Sequence, residues 1–292
     1  MNISFYLHDE VDPNLFEQKI LWIKDRYDIV SAKQFGEIIY AGSQAKDTCM
    51  LSVDDGWRST YDVIFPVLKK HKLPFTIFVS PQVVKSGFNF WTYLIQLCNE
   101  EKLKEIVVRR GLFDRTVTHF PIDLIFKELA IDEVYDVLKE YLRQTPDLCI
   151  PRGFINEKEL IEMHKSGLVE VGAHTLTHPI LKNEAETDSK REIVESVTQL
   201  SELLDYPVRT FAYPNGLYKI DYTEREMEVA KQAGIKMAFS VNPGVVNSMT
   251  NPLSIPRWGS IDRLKFGRLG QYLPSRANQP KIRKEIRNLK LK

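Results

Sequence analysis

The 292-residue chain has only three cysteines, Cys49, Cys98 and Cys149. An odd, widely spaced set provides no disulfide framework and reads as reduced thiols of a cytosolic protein. No stretch reaches the roughly 18 apolar residues of a membrane span. Residues 1–10 lack a basic region and a long apolar segment and turn acidic at once, so no secretory signal is expected. There is no Gly-rich phosphate loop and no Ser-His-Asp set, which argues against nucleotide-binding and serine-hydrolase readings. No nucleic-acid partner is expected, and no internal repeat or low-complexity tract interrupts the chain. Histidine is scarce: there are six, and none follows His178.

What is present is ordinary for a soluble globular protein, with 27% charged and 43% apolar residues. This length fits one large α/β domain. Strand-like apolar runs at residues 3–7, 27–30, 48–53, 75–79, 168–171, 209–212 and 236–241 alternate with helical patterns. Asp12-Pro13 and Ser31 read as helix starts, and Pro66 predicts a kink. Such alternation predicts parallel strands joined by crossover helices. Residues 89–150 break the rhythm, with helical patterns at about 91–106, 122–130 and 131–144 and no convincing strand. They read as a helical insertion, either a lid or an oligomer contact.

Two motifs follow strand-like runs: Val53-Asp54-Asp55-Gly56, and His174-Thr175-Leu176-Thr177-His178. One carboxylate with two imidazoles makes a facial metal site with open positions, and the second carboxylate is left free as a base. Adjacent carboxylates repel, and a cation relieves that repulsion. Two histidines four apart on a helical turn share a face. Taken singly, Asp-Asp-Gly is also ordinary turn chemistry and the histidines an ordinary surface turn. Their joint placement favours a site. His8, Asp54, Asp55, His174 and Tyr213 all lie at or just past predicted strand ends, the face where parallel barrels build active sites.

The chain resembles the polysaccharide deacetylase family, the NodB-homology or carbohydrate esterase family 4 group. The resemblance rests on Ser52-Val53-Asp54-Asp55-Gly56-Trp57, on Gly172-Ala173-His174-Thr175-Leu176-Thr177-His178-Pro179 and on Phe211-Ala212-Tyr213-Pro214-Asn215-Gly216. It implies a distorted (β/α)7-type barrel over residues 1–262; the helical insertion at about 89–150 and a basic tail at 263–292 lie outside the resemblance. It also implies a metal-dependent N-deacetylase of an acetylated amino sugar in glycan biosynthesis. Asp55, His174 and His178 are then metal ligands, with Zn2+ expected and Co2+, Ni2+ or Fe2+ as alternatives. Asp54 is then the general base, and Tyr213 lends a backbone N–H to an oxyanion hole.

The family's late histidine, which protonates the leaving amine, is absent here. His8, ending the first strand, is the substitute candidate; the alternative is a strand-end histidine that only packs. Arg257, in Ile255-Pro256-Arg257-Trp258, is the candidate to orient Asp54. Arg209 is second choice, and for each a plain structural salt bridge is the alternative. Trp258 is read either as an apolar wall for a sugar ring or as a core aromatic.

The net charge of +1 hides an asymmetry: residues 263–292 hold ten Lys or Arg and one acid, leaving −8 on the rest. That tail predicts either an anionic partner, such as a membrane surface, or contact with the chain's own acidic body. A cytoplasmic enzyme of this kind would meet a nucleotide-linked or lipid-linked sugar. Removal of a formyl or O-acetyl group, or sugar binding without turnover, remain the alternatives.

Overall fold

The computed structural model describes residues 1–41, 47–259 and 274–291, with only the backbone described for 274–277. Strand and helix alternate along β1 (Ile3–Leu7), α1 (Pro13–Lys24), β2 (Asp28–Val30), α2 (Ala32–Tyr40), β3 (Thr48–Asp54), α3 (Phe65–Lys70) and β4 (Phe75–Val79). α4 (Pro81–Ser86) comes next, and the helices of the insertion follow, α5 (Trp91–Leu97), α6 (Glu100–Arg109), α7 (Ile122–Phe126) and α8 (Ile131–Gln144). The barrel resumes with α9 (Glu157–Lys165), β5 (Val169–Ala173), α10 (Glu186–Leu204), β6 (Thr210–Ala212), α11 (Glu224–Gln232), β7 (Met237–Phe239) and β8 (Trp258–Gly259), and α12 (Pro274–Arg287) lies near the C-terminus.

Seven strands pair in the order β7-β6-β5-β4-β3-β1-β8, and β2 joins β3 on the side of β4. The strand pairs are parallel. β1, β3 and β4 are buried along their whole length, as expected of strands covered on both faces. Residues 252–257 bridge the two edges: Ala238 donates to Pro252 O and Ser240 to Ile255 O, each from its backbone N–H. The sheet thus approaches the expected distorted (β/α) barrel. Because the strands run in one direction, the residues that follow β1, β3, β5 and β6 emerge on one face.

Local signals act as the sequence predicts at several helix starts. The Asp12 carboxylate accepts from the N–H groups of Asn14 and Leu15 ahead of Pro13, and Ser31 with Gln34 forms a capping box. Pro66 acts differently from a simple kink. Lacking an N–H, it cannot continue the α-helical ladder, and residues Thr60–Ile64 widen into a π-turn in which the Phe65 N–H reaches Thr60 O. The pattern at 91–106 divides into α5 and α6, because Asn99 leaves the helix and its side chain caps the second one.

The insertion has its own apolar core around Leu103, Val107, Ile125, Val137 and Leu138, into which Ile286 of α12 inserts. Of the two readings of the basic tail, its described residues follow the second, contact with the chain's own acidic body. Arg283 is buried and donates to Glu128 and Asp221; Arg287 pairs with Glu128 and Lys290 with Glu133. The backbone joins as well, with Asp114 donating to Leu289 O and Leu291 to Leu112 O. Arg263, Lys265, Arg268 and Lys292 lie outside the described residues, and Lys281 and Lys284 are exposed.

Candidate active site

β3 ends on Asp54, and the next two residues turn sharply. Asp55 has φ 71° and Gly56 φ 74°, the left-handed region that suits glycine. A side chain at position 56 would also meet Val79 at 2.9 Å. The turn lets two successive carboxylates face the same side.

The two histidines are not on a helical turn as expected. They lie on a loop that leaves β5, with φ 62° at Thr175 and 63° at His178. Non-glycine residues adopt such values only when the surroundings hold them there. Here the buried Glu192 carboxylate of α10 accepts from the N–H groups of Leu176 and Thr177 and from the Thr177 hydroxyl, and the Thr175 hydroxyl accepts from the His178 N–H. The insertion secures the other side, where the Trp91 indole donates to His178 O at 3.0 Å and Phe90 packs on the imidazole.

Asp55 Oδ1 lies 3.4 Å from His174 Nε2 and 3.3 Å from His178 Nε2. One ligand atom from each of the three residues falls within 4.8 Å of the others. His174 Nδ1 is 2.7 Å from Ala212 O; it donates there, so Nε2 carries the lone pair that faces the cluster. The Trp57 indole N–H holds the other Asp55 oxygen at 3.0 Å, which turns Oδ1 toward the histidines. Asp55 Oδ1 is buried with no hydrogen-bond partner, an arrangement that is costly unless a cation completes it. Two imidazoles and a carboxylate fit a borderline divalent ion. Burial alone would raise the Asp55 pKa, but the neighbouring His174 and His178 imidazoles outweigh that and hold it well below the usual carboxylate range. Burial lowers His178, favouring the neutral form that binds metal.

Arg257, fully buried, clasps Asp54 through two parallel bonds of 2.7 and 2.9 Å. The guanidinium also donates to Ser52 Oγ and Ser240 O, and packs on Tyr6. Burial pushes Asp54 upward, yet the Arg257 charge, assisted by His174, brings it below its ordinary value. Arg209 is exposed and bonds Gly234 O, so it takes no part.

His8, Asp9, Asp54, Asp55, His174 and His178 share a cavity of about 370 Å³, whose wall also includes Trp57, Thr92, Gln96, Asn215 and Val241. Tyr213 departs from expectation. Its ring is buried and stacked on Tyr222, its hydroxyl donates to Leu253 O, and its N–H is engaged by Phe239 O at 3.2 Å. The expected oxyanion donor is therefore committed to the sheet, because β6 pairs with β7 up to this point. Trp258 does not border the cavity; its indole donates to Gly244 O. Sequence reasoning missed Glu192, Trp91, Thr92 and Asn215. Trp57 sat beside the two carboxylates in the motif, and that adjacency was the only signal of its bond to Asp55.

Comparison with known proteins agrees with this geometry. A sequence profile described as polysaccharide deacetylase matches residues 41–238. A poly-beta-1,6-N-acetyl-D-glucosamine N-deacetylase of Staphylococcus aureus (strain MSSA476) is 24% identical over 256 residues, 85% of this chain; the chain spans 66% of that relative's length. Among solved structures, the Streptococcus pyogenes deacetylase PplD in complex with acetate superposes with a TM-score of 0.61 at 16% identity, covering 92% of this chain and 96% of that one. IcaB from Ammonifex degensii gives 0.61 at 16% identity, covering 98% and 97%. At such identities the superpositions establish a shared fold.

Proposed function

Since the chain belongs to the polysaccharide deacetylase family, we propose that it hydrolyses the N-acetyl group of an amino sugar within a glycan, with N-acetylglucosamine units as the first candidates. The observation that carries this reading is the junction of two buried sets on one cavity: Asp55, His174 and His178 as a three-donor cluster, and Asp54 held by Arg257 beside it. The activity of the Staphylococcus relative suggests the sugar.

Asp55, His174 and His178 would hold a divalent ion, zinc being our first choice. Such an ion supplies a Lewis acid for the amide carbonyl and lowers the pKa of bound water toward neutrality. Asp54, kept ionised and aimed by Arg257, accepts the proton of the attacking water. His8 borders the cavity and delivers a proton to the departing nitrogen as the C–N bond breaks, giving acetate and the free amine. Trp57 keeps Asp55 turned toward the histidines throughout.

The test measures metal content together with acetate release from N-acetylglucosamine oligomers and a nucleotide-linked N-acetylglucosamine, and formate release from their N-formyl counterparts. We expect about one divalent ion per chain and acetate release. Asp54→Asn should keep the ion and lose around 10²–10⁴ in rate, whereas Asp55→Asn should lose the ion. Release of formate alone would reassign the acyl group. No acid released from any substrate by the metal-loaded protein would end the hydrolase reading.

A further inference from the structure

We infer that the helical insertion is a positioning element of the ion-binding cluster: through Trp91 and Tyr135 it fixes the backbone on both sides of His178, and with it the grip of His178 on a divalent ion. This deepens the proposed function and rests on its ion site.

The two histidines of the cluster are oriented differently. His174 Nδ1 is 2.7 Å from Ala212 O, a bond that turns its ring directly. His178 Nδ1 is buried and has no partner among the described residues, so the direction of its ring follows from its backbone and from the packing of Phe90. That backbone lies outside helix and strand, and each N–H and C=O group of Leu176, Thr177 and His178 meets a side chain. Glu192 accepts from the N–H groups of Leu176 and Thr177, Thr175 Oγ1 accepts from that of His178, and the Ser80 hydroxyl donates to Leu176 O.

The other two carbonyls go to the insertion. The Tyr135 hydroxyl lies 3.3 Å from Thr177 O, and Trp91 Nε1 lies 3.0 Å from His178 O. These carbonyls belong to the two rigid peptide planes that flank the His178 Cα. Holding both planes fixes φ and ψ of His178, including its left-handed φ of 63°, and therefore where its side chain leaves the chain. The second plane depends on Trp91 the more, because Pro179 has no N–H to offer. Tyr135 Oη also accepts the Trp91 N–H at 3.2 Å, which leaves its own proton for Thr177 O, with Asn89 O farther off at 3.5 Å. Just past the loop, the Asn183 side chain donates to Lys127 O and Leu129 O, and Glu184 accepts from the Ile131 N–H. Pinned at these points as well, the insertion is a fixed buttress for the loop that carries His178.

The experiment uses the full chain. It reads the Zn2+ dissociation constant by competition with a chromophoric chelator, beside thermal unfolding of the metal-free protein. Tyr135→Phe removes one hydroxyl and should raise the constant about tenfold, the usual size for a group that orients a metal ligand. Trp91→Phe should raise it at least as much. That variant also leaves a gap in a packed core, so if circular dichroism shows it unfolded, Tyr135→Phe decides alone. Tyr141→Phe is the control: it lies on the same helix, and its hydroxyl accepts the Asn99 N–H at 2.8 Å within the insertion. It should lower the unfolding temperature much as Tyr135→Phe does, yet leave the Zn2+ constant within about threefold of the parent protein. An unchanged constant in Tyr135→Phe, or an equal rise in Tyr141→Phe, would overturn the inference and leave the ion site intact. If the parent protein binds no Zn2+, the ion site and the inference fall together.

Discussion

Two buried arginines hold carboxylates in different parts of the molecule. Arg257 clasps one carboxylate, Asp54, which borders the cavity. Arg283 reaches two, Glu128 and Asp221, and joins α12 to the insertion and to the loop before α11. Burying ions is expensive, and a pair returns that cost only with good geometry. Around Arg257 the cost secures a charged carboxylate in a set geometry. Around Arg283 it secures the relative placement of three chain segments. In the proposed mechanism identical chemistry serves catalysis in one region and architecture in the other, and what separates them is whether the carboxylate borders the cavity.

Removing each arginine is the largest available challenge to that distinction. Arg283→Met leaves Glu128 and Asp221 buried without their shared cation, and stability should fall by roughly 3–5 kcal/mol. Below the unfolding transition, acetate release should stay within a few-fold of the parent protein. Arg257→Met should instead lower turnover by about 10²-fold or more at temperatures where the variant is still folded, because Asp54 loses both its orientation and the charge that keeps it ionised. Unfolding curves paired with rates decide the matter. A catalytic loss in Arg283→Met as deep as in Arg257→Met would erase the contrast.

His8 sharpens the same contrast within the cavity region. It is exposed, set edge-on to Tyr6, and borders the cavity with Asp54. As the proton donor it should cost about 10²-fold in amide turnover when replaced by alanine, with metal content unchanged. An activated ester, whose leaving group needs no proton, should suffer much less. Equal losses on the two substrates would make His8 a binding residue.

Much of this site was readable in the chain because it is built from short-range features. Apolar runs ending in Asp54-Asp55-Gly56 and in His174 mark strand ends, and parallel strands bring those ends to one face. What escaped depended on partners distant in sequence. Glu192 is a helix residue like its neighbours until the fold brings it under the loop 174–178. The basic tail was read correctly as charge, but its partners Glu128, Glu133 and Asp221 are set by packing. Tyr213 was placed correctly at a strand end, yet the direction of its N–H depends on β7, which the motif does not contain.

The smallest expected effect concerns a buried carboxylate with no arginine. Glu184 is buried between the barrel and the insertion, and accepts a bond from the backbone N–H of Ile131. Burial pushes its pKa up to about 7, and Glu192, Asp132 and Asp188 add to the rise. This is the reverse of Asp54, where Arg257 brings the value down. The linkage has a definite sign. Between the unfolded value, 4.5, and about 7, the folded state binds more protons than the unfolded state, so stability is greatest below that window and declines as pH rises through it. Glu184→Gln keeps an oxygen for Ile131 and removes the charge. Relative to the parent protein, the variant should gain on the order of 1–3 kcal/mol between pH 5 and pH 8. Comparing the two proteins at both pH values cancels the titration of groups they share, including the histidines of the cluster. A gain of equal size at both pH values would show that glutamine merely packs better. A loss growing with pH would mean that Glu184 has a cationic partner in solution, and the contrast with Asp54 would disappear.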